Sequence, residues 1–295
     1  MPRLLPARLL PLLLPVLVLG CAPGEKDDDD DDDVTTDDSG DVEESRPGPD
    51  YSNGTCPALV NGDNEFSTGD TEYDVEIILP DNPEGATVLF AWHWLGGTAS
   101  QAIRYMELEE ITEGDNVIVV VPDSDGSQFE WHIINDPDDN PDLVLFDDLL
   151  SCLWQQYDVD LDRVHSFGMS AGGLWTTYLT MYRSEWLAST APLSGGTLTG
   201  SYDTPADPIP VLVTWGGESD SSSGLSFNDA SIFFSEQLRE DGHFVAECEH
   251  DAGHQLPPGG VEYAYKFLMD HPKGVDPEPY ANGLPSDFPS FCRLP

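Results

Sequence analysis

Residues 168–172 read Gly-Met-Ser-Ala-Gly. A serine set between glycines at a strand-to-helix turn is the pattern of a nucleophile elbow, in which a strained backbone lifts the hydroxyl into the open. The pentapeptide is common by itself, so its neighbours carry the argument. Upstream, Arg163-Val164-His165-Ser166-Phe167 is short and β-favouring. Downstream, Leu174, Tyr178 and Met181 recur at helical spacing. The small residues Gly168, Ala171, Gly172 and Gly173 crowd the turn, as a close strand–helix approach requires. The bland alternative is a Gly/Ser loop that merely punctuates a βα unit.

A serine hydroxyl becomes a nucleophile when a base takes its proton, and an acid must orient that base. On an elbow of this kind both partners follow later in the chain, acid before histidine. Pro210-Val211-Leu212-Val213-Thr214-Trp215 reads as a buried parallel strand that breaks at Gly216-Gly217. Glu218 and Asp220 share the loop behind it, where parallel sheets place active sites. The histidines available beyond the next strand are His250 and His254. Their spacing would suit a metal on a helix, but Gly253, Pro257 and Pro258 argue against one, so no metal site is expected. His254, placed just before the helical stretch 261–269, is the expected base.

Acyl transfer also needs amides aimed at the developing oxyanion. Ala171, the residue after the serine, supplies one. The apolar strand 86–92 runs into His93-Trp94-Leu95-Gly96-Gly97, a turn placed to supply the second from Leu95 or, as the alternative, Trp94. If the serine were inert, the same residues would be an ordinary strand-end turn.

Taken together, HWLGG at 93–97, DRVHSFGMSAGG at 162–173, SGG at 194–196, GGESD at 216–220 and GH at 253–254 resemble secreted feruloyl esterases and poly(3-hydroxybutyrate) depolymerase-type esterases. These are carbohydrate esterase family 1 and its relatives within the α/β-hydrolases. The resemblance covers about residues 55–270 and lies in order and spacing rather than in long identity. It implies Ser170 as nucleophile, His254 as base and, over Glu218, Asp220 as acid. Many relatives carry His-Gly where this chain has His93-Trp94, a difference that bears on pocket shape more than on chemistry. Such a triad needs no cofactor, and none is expected; the resemblance implies feruloyl or acetyl esters of polysaccharide, or poly(3-hydroxybutyrate) and its oligomers, as substrates.

The elements that must hold these residues alternate. Strands are expected near 72–79, 86–92, 117–121, 163–167, 188–193, 210–215 and 243–248, and helices near 99–110, 142–157, 171–183, 226–240 and 261–270. That pattern predicts an α/β fold, a mostly parallel sheet with helices on both faces. Only a short loop fits between 193 and 210, so no large lid domain is expected and the site should admit polymers. Trp94 and Trp131 are candidate substrate contacts, with Trp175 and Trp215 more ordinary core. The Asp-rich stretches 123–126 and 136–142 read as solvated loops rather than calcium sites.

The rest of the 295-residue chain says where such a domain would work. Arg3 and Arg8, the apolar run 9–19 and Gly20-Cys21 have the form of a signal peptide over 1–20, of lipoprotein type with Cys21 lipidated. Residues 21–55, with seven consecutive aspartates at 27–33, read as an acidic tether. The catalytic domain is then expected at 56–295, on the cell envelope, most simply the outer membrane. From position 56 onward 42 acidic residues face 7 basic ones, which disfavours nucleic acid or anionic lipid as partners. Membrane attachment is therefore expected through the lipid alone, and the protein as a monomer. Cys56, Cys152, Cys248 and Cys292 allow two disulfides in an exported chain; of three pairings, 56–152 with 248–292 is preferred. Two other readings stay open: a serine peptidase, which uses the same machinery, and a non-catalytic glycan-binding surface protein on a hydrolase fold.

Overall fold

The computed structural model describes residues 47–295; the signal-peptide stretch, Cys21 and most of the tether lie outside the described residues. The packed domain begins earlier than position 56. The Tyr51 hydroxyl donates to the Ser67 carbonyl at 2.8 Å, and Ser52 donates its amide and hydroxyl to the Asp148 carboxylate at 2.7 and 2.6 Å. Residues 47–55 therefore belong with the domain rather than with the tether.

The chain opens with a hairpin of β1 (Gly62–Thr68) and β2 (Thr71–Ile78). Then come β3 (Thr87–Trp92), α1 (Ala99–Tyr105), α2 (Leu108–Ile111) and β4 (Val117–Pro122). A single 3₁₀ turn at Pro137–Asp139 precedes α3 (Pro141–Tyr157), where Asn140 caps the amides of Asp142 and Leu143 and Pro141 occupies the first helical position. The central units are β5 (Val164–Met169), α4 (Ala171–Tyr182), β6 (Ser189–Leu193) and β7 (Val211–Trp215). A small hairpin of β8 (Ser221–Ser222) and β9 (Leu225–Ser226) leads into α5 (Phe227–Glu240). The chain ends with β10 (Val245–Glu249), α6 (Glu262–Asp270) and β11 (Cys292–Arg293).

Nine strands form one sheet in the order β1-β2-β4-β3-β5-β6-β7-β10-β11. The six from β4 to β10 run parallel, and β1, β2 and β11 supply antiparallel edges. Parallel strands buried on both faces read as near-continuous apolar runs, as β4 does throughout and β3 does after Thr87. Alternate residues then feed two cores. Val88, Phe90 and Trp92 pack with Leu149 of α3, Trp175 of α4 and Phe234 of α5, while Leu89 and Ala91 pack with Ala102 of α1 and Phe267 of α6. Two disulfides staple the periphery, Cys56–Cys152 joining the entry segment to α3 and Cys248–Cys292 joining β10 to β11. β6 and β7 are linked by loop 194–210, too short for a lid domain.

Candidate active site

Ser170 stands between β5 and α4 with φ 59° and ψ −117°, a backbone region that non-glycine residues avoid. Its amide donates to the Leu193 carbonyl at 2.9 Å, and its carbonyl accepts from the Leu174 amide at 2.8 Å, so neighbours on both sides hold the strained turn. The turn also depends on missing side chains. A Cβ on Gly172 would lie 2.1 Å from the Trp92 carbonyl oxygen, which no rotamer change can relieve.

Asp220 and His254 arrive from the ends of β7 and β10. The Asp220 carbonyl accepts from the Phe227 amide at 2.9 Å, fixing the acid loop to the first residue of α5. The glycine-rich breaks after the two strands meet directly: the Gly253 amide donates to Gly216 O at 2.9 Å, and a Cβ on Gly216 would fall 2.0 Å from the Gly253 carbonyl. The Phe227 ring stacks on the His254 imidazole at 4.4 Å. His254 Nδ1 lies 2.7 Å from Asp220 Oδ1, and its Nε2 lies 2.8 Å from Ser170 Oγ. With Nδ1–H donating to the carboxylate, Nε2 is free to accept the serine hydroxyl.

Burial alone would raise the Asp220 carboxyl pKa. Hydrogen bonds from His254, the Gly216 amide (2.7 Å) and the Ser194 hydroxyl (2.8 Å) outweigh it and hold the group below its ordinary value. The rival residues stand elsewhere. Glu218 is exposed, and His250 accepts the Ala252 amide at Nδ1 while burial lowers its pKa.

The turn at 93–97 is held by the loop that follows β4. His93 Nδ1–H donates to the Trp94 carbonyl at 2.9 Å, and its Nε2 accepts the Ser124 amide at 3.3 Å. The Glu130 carboxylate accepts the Gly96 amide at 3.0 Å, and the Trp131 indole donates to the His93 carbonyl at 3.0 Å. The Gly97 amide is taken by Trp94 O, so among the amides of residues 95–97 that of Leu95 alone has no partner within the described protein. Ala171 is the first residue of α4, so its N–H has no intrahelical acceptor.

No protein-family model matches this chain. An oxidized polyvinyl alcohol hydrolase of a Pseudomonas sp is 29% identical over 192 residues, covering 48% of this chain and 50% of that protein. Another, from Sphingopyxis sp. (strain 113P3), is 22% identical over 218 residues, covering 59% and 57%. The chain thus spans about half the length of the curated relatives it matches. Among solved structures, pOPH in its native form superposes with a TM-score of 0.64 at 21% identity, over 81% of this chain and 95% of that one. A thermostable esterase gives 0.53 at 17%, over 72% and 63%, and a ferulic acid esterase 0.51 at 15%, over 65% and 90%. The fold is that of an α/β-hydrolase.

In this fold Ser170 and His254 stand at the floor of an open cleft of about 470 Å³, lined by Trp94, Leu95, Tyr105, Phe129, Leu225 and Phe227 beside Ala171, with Asp220 buried behind the histidine. Trp94 therefore faces the cleft, packed edge-on against Tyr105 at 5.2 Å. Trp131 does not. It is wholly buried, edge-on to Trp92 at 5.0 Å, and the expectation that it contacts substrate is corrected: its indole N–H is spent on holding the His93 carbonyl. The Asp-rich stretches also serve locally. Asp125 accepts the Ser127 amide at 2.9 Å, Asp136 accepts the Asp138 amide at 3.0 Å, and Asp142 is buried against His132. Sequence reasoning missed Ser194, Phe227, Glu130 and the β8–β9 hairpin. Only Ser194 carried a signal, as the first residue of the SGG run.

Proposed function

We propose that this chain is a serine hydrolase of carboxylic esters. The hydrogen-bond line Asp220–His254–Ser170, ending at a strained serine in an apolar cleft, carries that reading. Ser170 Oγ attacks the ester carbonyl as His254 Nε2 takes its proton, and Asp220 stabilises the imidazolium that forms. The amides of Ala171 and Leu95 receive the oxyanion. His254 then protonates the departing alcohol, and a water molecule, activated by the same base, releases the acid.

The lining favours an apolar acyl group, which suits aromatic and hydroxyalkanoyl esters among the candidates. The name of the two curated relatives adds a third candidate, oxidized polyvinyl alcohol. Export and attachment through Cys21, placing a monomeric enzyme at the cell envelope, complete the proposal; the two disulfides support the exported part.

The test compares wild type with Ser170→Ala on p-nitrophenyl acetate and butyrate, methyl ferulate, 3-hydroxybutyrate oligomers and oxidized polyvinyl alcohol. Turnover present in the first and absent in the second is expected. Equal inertness on every substrate refutes the proposal.

A further inference from the structure

Apolar surface on this acidic protein is concentrated. Among the described residues nine large apolar side chains stand well exposed, and five of them (Leu95, Tyr105, Phe129, Ile134 and Leu198) line two neighbouring cavities. The first is the Ser170 cleft. The second, of about 330 Å³, lies between α4, the turn at 133–135 and the loop 196–203. Leu174 and Leu225 line both, so they form a low wall that a ligand leaving the first cavity crosses to enter the second. Apolar patches of this kind, left open beside a reactive group, mark ligand surfaces. Ile134 is 74% exposed and Leu198 53%, so the apolar path continues outward.

The chemistry of the second cavity narrows its occupant. No lysine or arginine lines it, and its one charged residue is Asp203, so an anionic ligand is repelled. Most of its hydroxyl donors are already committed. Tyr178 donates to Asn135 O at 2.7 Å, Thr177 to Gly173 O at 3.0 Å, Thr197 to Ser201 O at 3.1 Å, and Tyr182 to the Asp203 carboxylate. A sugar, which presents a hydroxyl on nearly every carbon, finds few free donors there. A chain of apolar methylene and methyl groups with an occasional carbonyl loses nothing.

We propose that the second cavity is a subsite of the Ser170 cleft that holds the adjoining repeat of a neutral, linear, apolar-backboned oligomer. This deepens the esterase reading and rests on it for the placement of the scissile bond.

The experiment separates the two. Methyl-ester-capped, O-acetylated 3-hydroxybutyrate oligomers, dimer to pentamer, are titrated calorimetrically into Ser170→Ala and into the same variant carrying Ile134→Asp and Leu198→Asp. Both added positions are exposed, and thermal melts check the fold. The expected result is a tightening of Kd by tenfold or more at the length that crosses Leu174 and Leu225, lost in the triple variant. In otherwise wild-type protein the aspartate pair should also lower the ratio of tetramer to p-nitrophenyl acetate kcat/KM about tenfold. Affinity indifferent to length, a step that survives the aspartates, no binding of any oligomer, or equal affinity for xylo-oligosaccharides each overturns the subsite. A wild type inert on every ester that still shows the length step removes the esterase reading and leaves a binding groove; an active enzyme without the step removes only the subsite.

Discussion

Two His–Asp pairs of nearly identical build sit in this molecule. His254 Nδ1 meets Asp220 at 2.7 Å and His132 Nδ1 meets Asp142 at 3.0 Å; both imidazoles are 18% exposed, over carboxylates that solvent does not reach. Their electrostatics part nevertheless. Asp220 is held below its ordinary pKa by its three donors, whereas burial pushes Asp142 up despite the His132 amide and ring and the Tyr73 hydroxyl. Asp142 stands in the first turn of α3. The far nitrogen differs as well. His254 Nε2 faces a serine hydroxyl in a cleft, and His132 Nε2 faces the Asp125 carboxylate at 3.6 Å. An imidazole between two carboxylates has no substrate to exchange a proton with, so His132 fastens the loop 123–132 to α3. A His–Asp pair becomes catalytic through what its other nitrogen touches.

Removal of the histidines should separate the pairs most widely. His254→Ala is expected to lower kcat by about 10⁶-fold, by analogy with other serine triads. His132→Ala should lower kcat less than about tenfold and register mainly in the melting temperature. Comparable losses of kcat would erase the distinction between the two pairs. A smaller effect tests how the fastening pair reaches the chemistry. Glu130, on the loop that His132 anchors, holds the Gly96 amide, so Glu130→Ala should loosen the oxyanion turn and cost about tenfold in kcat with KM unchanged. Glu130→Gln keeps the acceptor and should restore most of the rate; failure of that rescue would point to charge instead of position.

A different kind of effect, on stability and not on rate, comes from a histidine with no carboxylate at all. His165, wholly buried in β5, touches Ser189 Oγ at 2.8 Å through Nδ1, and burial lowers its pKa to about 3. Unfolded, it binds a proton near 6.5, so the unfolded state takes up more protons between these values. Its contribution to stability is therefore complete above 6.5 and lost as pH falls toward 3, by about 1.4 kcal/mol per pH unit. Asp142 and Asp147, both raised by burial, act in the opposite sense above the ordinary carboxylate pKa. Urea unfolding at pH 6.5, 5.5 and 4.5 should show a shallower slope for His165→Leu than for wild type. Parallel slopes would mean that His165 is protonated without loss of the fold.

Much of this was legible in the chain. Strands such as Ala86–Trp92 and Val211–Trp215 are apolar but for Thr87 and Thr214 because both faces of a parallel sheet are buried, and such runs announce themselves. Ser170, Asp220 and His254 stood behind strand ends in a recognisable order. β1 was missed because, of its three buried residues, only Phe66 is apolar, so its alternation is nearly silent. The β8–β9 hairpin hides in Ser and Gly, and β11 spans two residues beside a disulfide. Trp131 was misplaced because an indole in a core and an indole on a cleft wall look alike in sequence. Ser194, Phe227 and Glu130 act across the fold, on Asp220, His254 and Gly96, through contacts that chain spacing does not encode.

The indoles beneath the turn at 93–97 have an optical consequence. Trp92 lies edge-on to Trp131 and Trp175 at 5.0 and 5.9 Å, and Trp131 stacks over Trp175 at 6.4 Å, close enough for their electronic transitions to couple. Coupled chromophores give paired bands of opposite sign in circular dichroism, whose size depends steeply on separation and angle. One of the three rides on the loop that Glu130 and His132 hold. The protein thus carries its own unlabelled gauge of how firmly the turn at 93–97 is seated, readable in the same cuvette as the ester assay.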